Sequence, residues 1–143
     1  SSVDWAQWVL FMAWGGWVSN FALSLINHAQ NAFFYATEWI PVVSSALAVG
    51  ALAMLLVQRP NDRDIQFSYL VLGLNAAVGV LGFILHIAPI WTESSGASLW
   101  DQIVFGAPVF APLLFVDLAV LSVLGVWSLH AAVQATQPVE EVA

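Results

Sequence analysis

Cysteine is absent from this chain, and only two of its side chains are basic, Arg59 and Arg63. The lack of thiols excludes disulfides, thiolate metal sites, iron–sulfur clusters and thiol redox chemistry. With so few cations, the chain also has no surface that could neutralise the phosphates of a nucleic acid. The expected partners are therefore the lipid bilayer, other membrane-protein subunits or further copies of the same chain.

Charge of either sign is scarce, since charged residues make up 8% of the sequence and hydrophobic residues 61%. A soluble domain typically carries about 25% charged residues. A soluble chain of 143 residues could not cover its own surface with so few. The composition therefore predicts an all-α integral membrane protein: one domain over residues 1–143, folded as a bundle of four transmembrane helices with short loops.

Four apolar segments are candidates for these helices, at about residues 5–29, 39–58, 66–90 and 108–133. Segments of about 20 or more residues suit a hydrocarbon core of about 30 Å. Thr37 is a candidate N-cap for the second helix. The pattern Ser98-x-x-Asp101 resembles a capping box, and it predicts a short interfacial helix over 99–105.

Both arginines lie in the connection QRPNDRD, between the second and third helices. By the positive-inside rule, the 58–65 loop should be cytoplasmic, together with both termini of a chain that crosses four times. We expect the protein in a prokaryotic inner membrane. No basic stretch precedes the first apolar segment, so we do not expect a cleaved signal peptide.

Polar residues follow one face of two of the predicted helices. On the third helix, Asn75, Gly79, Gly82 and His86 fall on one side, which offers an amide, two positions without a side chain and an imidazole. On the first helix, a polar stripe repeats every three or four residues; it consists of Asn20, Ser24, Asn27, His28 and Asn31. Such groups are costly in lipid, so each stripe should face protein, water or a ligand.

The two histidines suggest a haem site. His28 and His86 should lie at similar depth near the outer side, where they could bind one metal or both faces of a haem b iron. Gly79 and Gly82 would make room for the macrocycle, and the amides of Asn31 and Asn75 could donate hydrogen bonds. Simpler interpretations remain open: a solvated His28, a His86 that hydrogen-bonds a neighbouring helix, and glycines that form a packing groove.

Asp117 lies near the middle of the fourth predicted helix. An ionisable residue at that depth indicates a functional site by default, because burying its charge in lipid is costly. It could relay protons, or hydrogen-bond the Asn75 amide or the hydroxyls of Ser44 and Ser45. Both arginines belong to the loop, so any counter-charge for Asp117 must come from another subunit, a metal or a cofactor.

Three functions are consistent with these features. The first is a subunit of a respiratory or photosynthetic redox complex, with a b-type haem between helices one and three. The second is a cofactor-free accessory subunit that docks on a larger membrane complex. The third is a small proton-coupled transporter or channel that uses Asp117. No catalytic motif is present, so any enzymatic part would be limited to electron transfer.

Overall fold

The computed structural model describes residues 1–92, 96–106 and 108–136, and these residues form helices without any β-strand. Five α-helices follow one another: α1 (Ser2–Gln30), α2 (Trp39–Val57), α3 (Asp62–Thr92), α4 (Leu99–Phe105) and α5 (Leu113–Ala135). All of them except α4 are long and apolar enough to cross a membrane. The all-helical prediction with four such helices is confirmed.

The four long helices form a ring in which α1 and α3 both pack against α2 and α5. Consecutive long helices run in opposite directions, so α1 and α3 are parallel and lie diagonally across the bundle. The centre is filled mainly by aliphatic side chains and one indole. The largest fully buried apolar side chains are Trp17, Leu10, Leu52, Leu55, Leu72, Leu129 and Val126.

Two helices begin earlier than the hydrophobic pattern predicts. The Ser1 hydroxyl accepts the backbone N–H of Asp4 and donates to its carboxylate, which starts α1 at Ser2. At α3, the Asn61 side chain accepts the backbone N–H groups of Arg63 and Asp64. The prediction that 62–65 is loop is wrong, because polar caps and acidic residues stabilise a first turn that has no hydrophobic periodicity.

Two other helix starts also differ from expectation. Thr37 does not cap α2; a 3-10 turn over Ala36–Glu38 leads into the helix, and Glu38 precedes it without a side-chain capping bond. The fourth crossing begins at Leu113 instead of 108, because residues 108–112 form hydrogen-bonded turns ending at Pro112. By contrast, the short helix α4 and its Ser98–Asp101 capping interaction are confirmed.

Exposed tryptophans lie towards both ends of the bundle. Trp5, Trp8 and Trp127 are more than half exposed near the end that carries the N-terminus, and Trp91 and Trp100 are exposed towards the other. Two such groups are the arrangement expected for aromatic belts at the two interfaces of a bilayer.

The close contact between α3 and α5 gives a prediction about stability. A Cβ at Gly79 would lie 2.8 Å from the Pro112 carbonyl oxygen, whereas a Cβ at Gly73 on the same helix meets nothing within 4 Å. Gly79→Ala should therefore destabilise the bundle by about 1–3 kcal/mol through overpacking. Gly73→Ala should be neutral or stabilising, because alanine favours helix. Denaturant unfolding in detergent micelles would measure both; equal stabilities would contradict the packing.

Candidate functional site

Asn75 lies in the interior of the bundle, where its amide joins two helices. Its side chain is fully buried, and Nδ2 donates to the backbone carbonyls of Ser44 on α2 and Val71 one turn earlier on α3, both at 2.9 Å. This amide therefore links α3 to the first half of α2. Interhelical hydrogen bonds of this kind contribute about 0.6 kcal/mol on average in a membrane.

The glycines of the α3 stripe lie against the start of α5. A Cβ at Gly79 would meet the Phe115 Cβ and the Pro112 carbonyl, and one at Gly82 would lie 3.0 Å from the Pro112 Cβ. The space that the sequence suggested for a macrocycle is therefore filled by α5. Gly79 and Gly82 act here as the packing groove that was the alternative interpretation.

His86 is half-buried at the end of α3 beyond this groove. Its Nδ1 lies 3.1 Å from the carbonyl oxygen of Pro108, in the segment that leads into α5. A neutral imidazole that donates from Nδ1 leaves Nε2 as an acceptor, which is the state of many metal-ligating histidines. The same bond also serves a purely structural role, because it ties the residues before α5 to α3.

His28 and Asn31 lie at the corresponding end of α1. The His28 ring is half-buried beside Phe33, with ring centroids 6.4 Å apart, and exposed Asn31 is the C-cap of α1. His28 and His86 lie on diagonal helices, and the glycine positions that the sequence suggested for the macrocycle are in contact with α5. The bundle in this arrangement leaves no room for a macrocycle beside the two glycines, and haem ligation by the two histidines is a hypothesis from the sequence that only a measurement can test.

Some of the other buried polar atoms have a hydrogen-bond partner and some do not. Trp17 Nε1 donates to the Ser122 hydroxyl at 2.9 Å, which joins α1 to α5. Three buried polar atoms on α1 and α3 have no hydrogen-bond partner in the described part of the chain: Asn75 Oδ1, Asn20 Nδ2 and Trp14 Nε1. The Trp17–Ser122 bond was not foreseen, since a lone serine in an apolar helix gives no sign of its partner.

Asp117 points away from the bundle. It is exposed on α5, while Phe115, Leu118 and Ala119 beside it are buried against the neighbouring helices. The donors suggested for it are used elsewhere: the Asn75 amide bonds two carbonyls, and the hydroxyls of Ser44 and Ser45 donate to Pro41. Within the described residues Asp117 has no hydrogen bond or ion pair.

The described residues bring no three histidine, aspartate or glutamate side chains together as a metal-binding group. Comparison of the chain with models of protein families, with curated proteins and with solved structures finds no match. The proposals below therefore depend on the geometry of this chain alone.

The filled groove beside His86 leads to a spectroscopic prediction. Reduced-minus-oxidised visible spectra of the folded, detergent-purified chain should lack sharp haem bands, because α5 occupies the space for a macrocycle. His86→Ala should give the same flat spectrum. Bands that are present in the wild-type chain and vanish in His86→Ala would contradict this expectation and establish a haem ligand.

Proposed function

We propose that this chain is an integral membrane protein that serves as an accessory subunit and docks on a larger membrane assembly through the outward face of α5. The observation that carries the proposal is the exposure of Asp117 on α5 at the level of the middle of α1. A carboxyl group that faces lipid tails is energetically costly, whereas one that faces another protein can form a hydrogen bond or an ion pair.

Two distances along the helices support a depth for Asp117 near the middle of a bilayer. It is ten residues before Trp127, which corresponds to about 15 Å of helix, or half of a hydrocarbon core of about 30 Å. Its neighbour Leu118 packs against Gly16, the central residue of α1. Both distances support a position of the Asp117 carboxyl group among lipid tails.

The surface around Asp117 is apolar and follows one stripe of α5. Leu114, Leu121 and Leu124 lie three residues before, four after and seven after it, and each is at least 39% exposed. These spacings place the leucines on the same face as the carboxyl group. The face has the form of a helix-packing surface with a single polar group at its centre.

A second copy of this chain is a poor partner for Asp117, because the described residues offer no exposed side chain with a free hydrogen-bond donor at that depth. Arg59 and Arg63 lie at the end of the bundle, and the exposed hydroxyl of Ser19 on α1 already donates to the Gly15 carbonyl. We therefore infer a different membrane chain, whose helix presents a basic or hydrogen-bond-donating side chain to Asp117.

The other two functions fit the geometry less directly. Asp117 lies outside the core, so a proton path through this bundle would not include it. Membership of a respiratory or photosynthetic complex is compatible with docking, but docking does not depend on it. A cytoplasmic position of the Arg59–Arg63 end, in a prokaryotic inner membrane, remains our proposal from the positive-inside rule.

The docking function predicts that Asp117→Leu releases the chain from its assembly. Loss of an interhelical polar bond of about 1–2 kcal/mol corresponds to a five- to thirtyfold weaker association. The measurement is native gel electrophoresis of native membranes solubilised in mild detergent. The wild-type chain should migrate with a larger complex, and Asp117→Leu should shift towards the monomer.

Ser19→Leu is the matched control, because Ser19 is also an exposed polar residue near mid-span but its hydroxyl is bonded within its own helix. It should leave the assembly intact. A wild-type chain that is monomeric in mild detergent, or an assembly unaffected by Asp117→Leu, would contradict docking through this face.

A further inference from the structure

A cavity of about 360 Å³ lies at the end of the bundle where α1 begins and where α2 and α5 end. Its deepest lining residues are apolar, and Leu55 and Leu129 are each only 2% exposed. Its exposed lining side chains include polar ones, namely Gln7, Gln58, Arg59 and Thr136. The volume lies within the range of about 300–1,000 Å³ that is usual for small-molecule sites.

The cavity lies at the level of one aromatic belt. Gln7 is next to Trp8 on α1, and Leu129 is two residues beyond Trp127 on α5. Exposed tryptophans mark the depth at which headgroups meet acyl chains. A cavity at this depth can take up a molecule with a polar head and an apolar tail.

Arg59 is the only cation that lines the cavity, and it has no ion pair within the described residues. The described acids near it in space or sequence are engaged elsewhere. Asp4 binds the N-terminal amine at 2.7 Å, Asp62 lies 3.6 Å from His130, and Asp64 accepts a backbone N–H at 3.1 Å. Within the described residues the guanidinium therefore has no anionic partner, which leaves it able to bind an anion.

We propose that this cavity binds an anionic phospholipid, with the phosphate on Arg59 and the glycerol and upper acyl carbons on the floor formed by Leu55, Leu129 and Val133. Guanidinium groups suit phosphate because they offer several N–H donors in one plane. The apolar floor adds hydrophobic contact that a free phosphate would not gain.

Because of the helix ends around the cavity, binding of an anion there depends on Arg59. The first turn of α1 contributes exposed N–H groups, but α2 and α5 both end here with their carbonyl groups and their negative dipole ends. Without the guanidinium, the field of two carbonyl ends would oppose a phosphate. Removal of Arg59 should therefore abolish the preference for anionic over zwitterionic lipid.

The test is native mass spectrometry of the whole chain in neutral detergent, with equimolar phosphatidylglycerol and phosphatidylcholine of the same acyl composition. The wild-type chain should retain phosphatidylglycerol preferentially. Arg59→Gln should reduce its retention about fivefold, the effect of one basic residue near a membrane surface. Arg63→Gln is the matched control: it removes the other arginine, which is exposed on the first turn of α3 outside the cavity, and should change retention less than twofold.

A second variant tests the floor without changing charge. Val133→Phe should fill the cavity and lower retention of both lipids, with circular dichroism confirming an unchanged helix content. Equal losses in Arg59→Gln and Arg63→Gln would overturn the proposal, because they would indicate diffuse attraction by the loop. Displacement of the lipid by excess inorganic phosphate would also overturn it, since the site would then bind the free anion. Failure of this test leaves docking through α5 untouched, because Asp117 lies on another face and at another depth.

Discussion

The rotation of α5 about its own axis is fixed by close contacts with glycines on both neighbouring helices. Leu118 of α5 packs over Gly16 of α1, and Leu10 of α1 packs over Gly125 of α5. The two helices can therefore approach each other closely at both glycines. On the other side, Pro112 and Phe115 enter the space beside Gly79. Where a large side chain of one helix packs over a glycine of its neighbour, rotation of either helix would make side chains clash, because protein interiors are closely packed. The direction of every side chain on α5 follows from these contacts.

The rotation of α5 determines which of its side chains face the bundle and which face outward. Ser122 is turned inward, where it accepts the Trp17 indole N–H. The space beside Gly79 and Gly82 is closed, which removes the room expected for a cofactor. Asp117 is turned outward, where no residue in the described part of the chain bonds to it. The same packing that makes the bundle a closed unit therefore leaves a polar group on its surface, and this is why docking on another chain is the function that we favour.

The sequence predicted those features that depend on local order. The four apolar segments identified the long helices, and Ser98 with Asp101 identified the start of α4, because a capping box lies within one turn. Asn75 and Gly79 were placed on one face of α3, and both are buried. What that face contacts could not be predicted, because helix pairing joins residues distant in sequence, such as Asn75 and Ser44.

The outward direction of Asp117 could not be predicted for a further reason. In water, the polar side of a helix reveals which side is exposed. Around Asp117 both sides of α5 are apolar: Leu114 and Leu124 are exposed, while Phe115 and Leu118 are buried. In a lipid environment that pattern gives no sign of rotation. The charge alone identifies Asp117 as a candidate residue. The direction of its side chain is known only from the packing of α5 against the glycines of its neighbours.

The most direct test of docking is photo-crosslinking in native membranes from a benzophenone side chain at Leu121, one turn from Asp117 on the same face. Leu47, exposed on α2 across the bundle, is the control position. We predict a discrete protein adduct from position 121, in a partner helix that carries a lysine, arginine or histidine near mid-span, and only lipid adducts from position 47. Lipid adducts alone from both positions would contradict the account.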